Sequence, residues 1–132
     1  MTSRKIIEVN ELYASFGERE VLSDVSFEAR EKDITVVLGG SGAGKSVLLK
    51  HILGLYEGRK GSVHILGQNM TELDEGEQKQ LYLQMGVFYQ NGGLLNSLTV
   101  GENIALPLEQ HTNLQEELIT RIVQTKLELV NL

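Results

Sequence analysis

The sequence contains no cysteine, and this absence excludes several kinds of chemistry at once. A disulfide scaffold, a cysteine-ligated metal site and thiol catalysis all need that side chain. A chain without cysteine is compatible with a reducing compartment, and we therefore expect this protein in the cytoplasm.

Long hydrophobic runs are missing as well. Lys, Glu, Gln or Asn interrupts every apolar stretch, so no window approaches the roughly 20 apolar residues that a transmembrane helix needs. The N-terminus offers only Ile6 and Ile7 before Glu8, which is too little for the apolar core of a secretory signal. We expect no export, and we expect any association with a membrane to come through a partner protein.

Positive charge is scarce, because 12 Lys and Arg stand against 18 Asp and Glu and the net charge is -6. Nucleic acids and anionic membranes usually need clustered Lys and Arg, so neither is expected as the main partner. What is present is 132 residues with 41% hydrophobic residues. That length and composition fit one ordinary domain rather than two.

Short apolar runs in the first third of the chain predict three strands, at residues 6–9, 25–29 and 34–38. The second run alternates apolar and polar residues, as a half-exposed antiparallel strand does. The third is almost entirely β-branched and apolar, which is typical of a buried central strand. Residues 34–38 are therefore the best candidate for the core.

The next segment alternates predicted helices and strands. A helix is predicted over residues 45–55, a strand over 61–66, a helix over 74–84 and a strand over 86–89. The first helix carries an apolar face formed by Val47, Leu48, His51, Ile52 and Leu55. This alternation predicts an α/β sheet.

Beyond residue 90 the sequence predicts two helices. Thr99 with Glu102, and Asn113 with Glu116, have the spacing of a helix capping box. The second helix has an apolar stripe of Leu118, Ile119, Ile122, Val123, Leu127 and Val130. The only proline, Pro107, is expected between the two helices.

A phosphate-binding loop is predicted between the third strand and the first helix. Its residues are Gly39, Gly40, Ser41, Gly42, Ala43, Gly44, Lys45 and Ser46, which match the P-loop pattern at every fixed position. Glycines let successive N–H groups point at phosphate oxygens, and a helix N-terminus adds positive potential. Lys45 can reach the β and γ phosphates of ATP, and the Ser46 hydroxyl can bind Mg²⁺. The alternative is a flexible Gly/Ser turn that precedes a lysine by chance.

A P-loop does not by itself name a reaction, because small kinases, GTPases, recombination ATPases and ABC ATPases share it. Many nucleotide kinases place the loop close to the N-terminus, after a single strand. Here 38 residues and two apparent antiparallel strands precede it. That arrangement favours an ABC ATPase.

The chain resembles the ABC ATPase family over essentially its whole length, beginning with the aromatic, turn and strand pattern of residues 16–27. The resemblance implies a P-loop NTPase core with an N-terminal antiparallel β element over residues 1–90 and the start of a helical subdomain over 91–132. It also implies that Phe16 stacks on adenine, that Val21 packs against the base or ribose, and that Val47 belongs to the nucleotide site. The alternatives for Phe16 are a core or turn aromatic, with Tyr13 as the competing platform.

By the same resemblance, Gln90 is the glutamine of the family's Q-loop. That residue meets Mg²⁺ and the attacking water and links the site to the membrane subunit. A neutral amide can bind a metal through its oxygen and orient water from a flexible loop. The alternative is an ordinary exposed loop glutamine.

Several local runs resemble the ATPase subunits of Mla-type transporters, which work with Mce-domain proteins to move phospholipids. They are residues 39–42, Val47 in place of the commoner Thr, residues 90–108, and His111 with Thr112. Such substitutions also recur in other branches of the family. We expect an ATP-binding subunit that energises transport of a phospholipid or another lipid.

The resemblance further implies partners and a place in the cell. Two ATP-binding subunits would sandwich two Mg·ATP and act on an integral-membrane permease, peripherally on the inner face of the cell membrane. The family's signature, Walker B strand, D-loop and switch histidine are not found in these 132 residues, so we expect this chain alone to be inactive. The rival interpretations are an ABC ATPase that serves no transporter and a truncated, non-catalytic nucleotide-binding remnant.

Overall fold

The computed structural model describes residues 3–56, 60–90 and 92–132. Its contacts divide the chain into two compact units, Met1–Gly86 and Val87–Leu132. Asn91, which belongs to one of the runs that resemble Mla-type subunits, lies outside the described residues. Within those described ranges, no helix is long and apolar enough to cross a membrane.

The first unit is built on a four-stranded antiparallel sheet. Its strands are β1 (Lys5–Phe16), β2 (Arg19–Arg30), β3 (Lys60–Ile65) and β4 (Gln68–Asn69), in the order β2-β1-β3-β4. β1 and β2 form a long hairpin because Gly17 takes a positive φ of 60° in the turn. The strands predicted at 6–9, 25–29 and 61–66 are therefore present, and the first two are longer than predicted.

Two helices complete the first unit, α1 (Lys45–Ile52) and α2 (Glu75–Tyr82). The core between sheet and helices consists of Val9, Leu12, Ala14, Leu22, Leu48, Ile52, Val63, Ile65, Met70 and Leu81. α1 ends earlier than predicted because Gly54 adopts a positive φ of 67°, which leaves Leu55 55% exposed. α2 begins with a capping box between Asp74 and Glu77.

Two predicted strands are wrong. Residues 34–38 and 86–89 belong to no strand of the described chain, and their apolar side chains are open to solvent, with Ile34 93% and Phe88 85% exposed. The physical reason is that a strand exists only through hydrogen bonds to a neighbouring strand. Among the described residues, none of the four strands lies beside either segment.

The second unit contains α3 (Val100–His111) and α4 (Glu116–Glu128), which pack on each other and bury Ala105 and Ile119. The predicted capping box at Thr99 is confirmed: Glu102 N donates to Thr99 Oγ1 at 3.3 Å and Thr99 N donates to Glu102 Oε2 at 2.7 Å. The two hydrogen bonds fix where α3 begins.

Two predictions in this unit need correction. α4 begins after Gln115 with no side-chain cap, so Asn113 does not cap it; two further loop residues separate Asn113 from the first helical turn. Pro107 lies inside α3 rather than after it. Proline removes one backbone hydrogen bond, but α3 continues past that gap, and Thr112 N still donates to Leu108 O at 3.0 Å.

Candidate nucleotide-binding site

The predicted phosphate loop leads directly into α1, and its backbone depends on glycine. Gly42 and Gly44 have positive φ values of 79° and 89°, which residues with a side chain rarely adopt. A Cβ on Gly44 would lie 3.1 Å from Leu22 Cδ2 and 3.1 Å from Val21 O. β2 therefore packs directly against the loop, and a side chain at Gly44 would be crowded against it.

The loop presents backbone donors at the N-terminus of α1. The first N–H groups of a helix have no partner within the helix, and no side chain of the described residues caps this end. The first bond of the helical ladder is donated by Leu48 N to Gly44 O at 2.8 Å. The N–H groups of Lys45, Ser46 and Val47 therefore face outward with the positive end of the helix dipole.

These donors border a cavity of roughly 280 Å³. Its lining consists of Arg19, Val21, Gly42, Ala43, Gly44, Lys45, Ser46 and Val47. One cavity is thus lined by six residues predicted to bind nucleotide or Mg²⁺, Gly42 to Val47, and by Val21 from β2. Gly39, Gly40 and Ser41 precede this lining along the loop.

The ammonium group of Lys45 lies over the start of the loop. Its Nζ donates hydrogen bonds to Gly39 O at 2.6 Å and to Gly40 O at 2.7 Å. Both partners are neutral carbonyls, so the positive charge stays uncompensated. Lys45 therefore holds the loop in shape and keeps its charge available for an anion.

Phe16 lies in a second cavity of about 430 Å³, lined by Ser15, Phe16, His51, Leu55 and Tyr56. Its ring is 50% exposed and packs edge-on against the Tyr56 ring at 5.5 Å between centroids. A core role for Phe16 is therefore excluded. The competing aromatic, Tyr13, is half-buried and lies under Lys60, with 5.0 Å from Nζ to the ring centroid.

Tyr56 lines this second cavity, and Lys50, in the last turn of α1, contacts it. Lys50 Nζ donates to Tyr56 Oη at 3.1 Å and lies 4.9 Å from the centre of its ring. Neither residue belongs to a sequence motif, and sequence reasoning missed both. The available signal was the basic and aromatic character of the end of the P-loop helix and the residues that follow it.

Gln90 belongs to the second compact unit, whereas every other predicted site residue belongs to the first. It is exposed and lies in a turn. The residues immediately before it, 86–89, form no strand, in contrast to the prediction. Its predicted role therefore stays a prediction.

The residues present suit a nucleotide and its magnesium ion. Phosphate oxygens suit the cradle of N–H groups and Lys45, and the Ser46 hydroxyl makes no hydrogen bond among the described residues, so it is available as a hard oxygen ligand. In the part of the chain that the structure describes, no group of three or more His, Cys, Asp or Glu could hold a metal ion.

A glycine loop against a strand, with its lysine at the start of a helix, defines this chain as a P-loop nucleotide-binding protein. The family model for ABC transporters matches residues 22–131. The chain belongs to that family.

Among solved structures, the chain is similar to the dimeric post-hydrolysis state of the ATP-binding cassette MJ0796 bound to ADP and Pi. The TM-score is 0.83 at 25% identity, over 96% of this chain and 58% of that one. A second structure, an ATP-binding subunit of an ABC transporter, gives a TM-score of 0.69 at 29% identity, over 85% of this chain and 45% of that one. The predicted fold, part of the α/β nucleotide-binding domain of an ABC ATPase, is confirmed.

Among curated relatives, the chain is 39% identical to the probable ribonucleotide transport ATP-binding protein mkl of Mycobacterium leprae, over 96% of this chain and 36% of the relative. It is 34% identical to the intermembrane phospholipid transport system ATP-binding protein MlaF of Haemophilus influenzae, over 98% and 49%. It is 37% identical to the methionine import ATP-binding protein MetN of Brucella abortus, over 99% and 35%. The chain thus spans between a third and a half of these relatives, and Mla-type proteins are one of several similar groups.

Proposed function

We propose that this chain forms the nucleotide-binding part of an ABC transporter's ATP-binding subunit and binds Mg·ATP in the cavity at the N-terminus of α1. The observation that carries the proposal is the convergence, on one cavity, of helix N–H groups without a cap and the uncompensated charge of Lys45. A polyphosphate satisfies both.

Different residues of the site contact different parts of the nucleotide. The N–H groups from Gly42 to Val47 receive the phosphates, and Lys45 exchanges its two carbonyl partners for β and γ oxygens. Ser46 supplies a hydroxyl to Mg²⁺. Phe16, half-exposed at the end of β1, offers a face for the base, and Val21 packs beside the ribose or base from β2.

In the complete protein, two such subunits bind ATP between them and transfer the γ phosphate to water, with charge neutralised by Lys45 and Mg²⁺. Gln90 helps to bind Mg²⁺ and the attacking water, and it reports the state of the site to a membrane permease on the cytoplasmic face. The dimeric form of the similar MJ0796 cassette supports the two-subunit arrangement.

For the transported substrate we propose a phospholipid or another lipid. The support is the run of local residues from 90 to 112 that resembles Mla-type subunits, together with the similarity to MlaF. Relatives named for ribonucleotide and methionine transport are at least as similar in overall identity. ATPase stimulation of the complete transporter, reconstituted with phospholipid, ribonucleotide or methionine in turn, tests the assignment, and stimulation by methionine alone contradicts it.

Calorimetric titration with Mg·ATP tests the nucleotide site itself. Lys45→Ala removes the cation nearest the loop and should weaken binding at least tenfold, about 1.4 kcal/mol. Lys79→Ala removes the same charge from α2, away from the cavity, and should leave binding unchanged. Equal affinity of wild type and Lys45→Ala, with both chains folded by circular dichroism, contradicts the proposal.

A further inference from the structure

The cavity at the N-terminus of α1 contains a second cation that the P-loop motif does not include. Arg19, the first residue of β2, lines the cavity together with Val21 and the segment 42–47. It lies outside the loop in sequence and reaches the same space from the sheet. The question is therefore what this guanidinium does there.

The lining of the cavity shows which side chains of β2 lie on the loop side. A register shift between Glu20 and Leu22 interrupts the regular alternation of the strand, and both Val21 and Leu22 approach the loop, at 3.2 and 3.1 Å from the position of a Cβ on Gly44. Among the described residues of this segment, Arg19 and Val21 line the cavity and Glu20 does not.

Among the described residues, the guanidinium of Arg19 has no protein partner. Within residues 3–56, 60–90 and 92–132, it makes neither a hydrogen bond nor an ion pair. Arg30, at the other end of the same strand, pairs with Glu28 and also donates to Ser3 O at 2.8 Å. The two ends of β2 therefore differ. Arg30 has protein partners, whereas the N–H donors of the Arg19 guanidinium have none among the described residues.

The lining of the cavity points to the chemistry of the missing partner. Among the described residues, its charged members are Arg19 and Lys45, and no carboxylate lines it. Guanidinium binds phosphate through paired N–H donors in a fixed plane. An anion with several oxygens on neighbouring centres can therefore meet the loop on one side and Arg19 on the other.

We infer that Arg19 binds the phosphate chain of the nucleotide from the β2 side, opposite the P-loop, and so acts as an additional specificity-determining residue for polyphosphates. The inference rests on the proposed function, because it places Arg19 at the same nucleotide. It adds a contact to phosphate rather than to base or ribose. Inorganic triphosphate, which has neither base nor ribose, is therefore the informative ligand.

The test compares Arg19→Gln with wild type by calorimetric titration of Mg·ATP and of inorganic triphosphate. Because Arg19 is exposed in the free protein, the loss should be moderate, about fivefold for both ligands. Arg19→Lys, which keeps the charge without the planar fork, should fall between wild type and Arg19→Gln.

Arg4→Gln is the matched control. It removes the same charge at the opposite end of the hairpin, since Arg4 precedes the 12-residue β1 and Arg19 pairs with its last residue, Phe16. The separation is about 35 Å along the strand, several times the Debye length of about 8 Å at physiological salt. Arg4→Gln should therefore bind both ligands as wild type does.

The outcomes separate this inference from the function on which it rests. Weaker binding of both ligands by Arg19→Gln, with Arg4→Gln unchanged, supports it. Equal binding by Arg19→Gln and wild type overturns it, as does weaker binding of Mg·ATP with unchanged binding of triphosphate. Neither result affects the proposed function while Lys45→Ala still binds Mg·ATP at least tenfold more weakly than wild type. Loss of the Lys45→Ala effect, in contrast, removes the proposed function.

Discussion

Alanine substitutions at three glycines of the phosphate loop separate the two constraints on its backbone. Gly40 has neither a positive φ nor any atom within 4 Å of an added Cβ, Gly42 has the positive φ alone, and Gly44 has both the positive φ and close neighbours on β2. The three sites therefore form a graded series within one loop. Each substitution adds the same single methyl group.

The magnitudes follow from these differences. A left-handed backbone costs a residue with a side chain about 1–2 kcal/mol, so Gly42→Ala should destabilise the fold by about that amount. Crowding adds a further 1 kcal/mol or more, because a Cβ on Gly44 would lie 3.1 Å from Leu22 Cδ2 and Val21 O, which brings Gly44→Ala to about 2–4 kcal/mol. Gly40→Ala should be neutral or stabilise by up to about 1 kcal/mol through the unfolded chain.

Urea unfolding followed by far-UV circular dichroism measures the series. With a typical m-value of about 1–3 kcal/mol/M, a loss of about 2 kcal/mol lowers the midpoint by roughly 1 M. Equal midpoints for Gly42→Ala and Gly44→Ala would refute the packing of β2 against the loop. Equal midpoints for Gly40→Ala and Gly42→Ala would refute the left-handed backbone at Gly42.

Three further predictions concern the base, the second unit and the sheet. Phe16→Ala should weaken ATP and GTP binding alike, by about 1–3 kcal/mol in calorimetry, because stacking uses a face that every base offers. Hydrogen bonds from Thr99, the backbone N–H first and then the hydroxyl, hold the pKa of Glu102 below its ordinary value. The ionised carboxylate thus stabilises α3 at pH values above the pKa that Glu102 has in the unfolded chain, and this stabilisation is lost as the pH falls through its pKa in the folded chain. Between about pH 5 and pH 3, Glu102→Gln should therefore lose less stability than wild type, as measured by thermal melts. Gly61→Ala should lower the urea midpoint strongly, by at least about 2 kcal/mol in stability, because its Cβ would lie 2.3 Å from Glu11 O.

Each of these predictions has a matched control variant. Tyr13→Ala should leave nucleotide affinity unchanged, and a loss there instead of at Phe16 would make Tyr13 the platform. Glu117→Gln, also an exposed first-turn glutamate, should show the acid profile of wild type. Gly67→Ala has a positive φ of 84° but no atom within 4 Å of its Cβ, so a loss as large as that of Gly61→Ala would contradict the backbone clash.

Local signals allowed the sequence to predict the glycine-rich loop before α1, the first two antiparallel strands and the start of α3. The phosphate loop and the Thr99 capping box both depend on residue types at fixed short spacings, and such spacings act through hydrogen bonds within a few residues. The antiparallel strands were predictable because their alternation reflects one buried face. The full length of these strands could not be predicted, because the β1–β2 hairpin contains β-bulges that shift its register between Val9 and Phe16.

What the sequence could not predict depends on partners distant along the chain. Residues 34–38 have the composition of a buried strand, but Ile34 and Leu38 are exposed because no described strand pairs with them. Arg19 was overlooked for a similar reason, since only the packing of β2 against Gly44 brings it to the phosphate loop. The P-loop motif identifies the residues on the loop side of the cavity, whereas the fold determines which residues of β2 line its other side.

Backbone amide signals give the most direct test of the claim that this loop binds phosphate. A titration of the ¹⁵N-labelled chain with Mg·ATP should shift the N–H signals of Gly42, Gly44, Lys45 and Ser46 first and most, and inorganic triphosphate should shift the same set. Lys45→Ala should remove both responses at matched concentrations. Shifts confined to other parts of the chain, or no shifts from either ligand, would contradict the account.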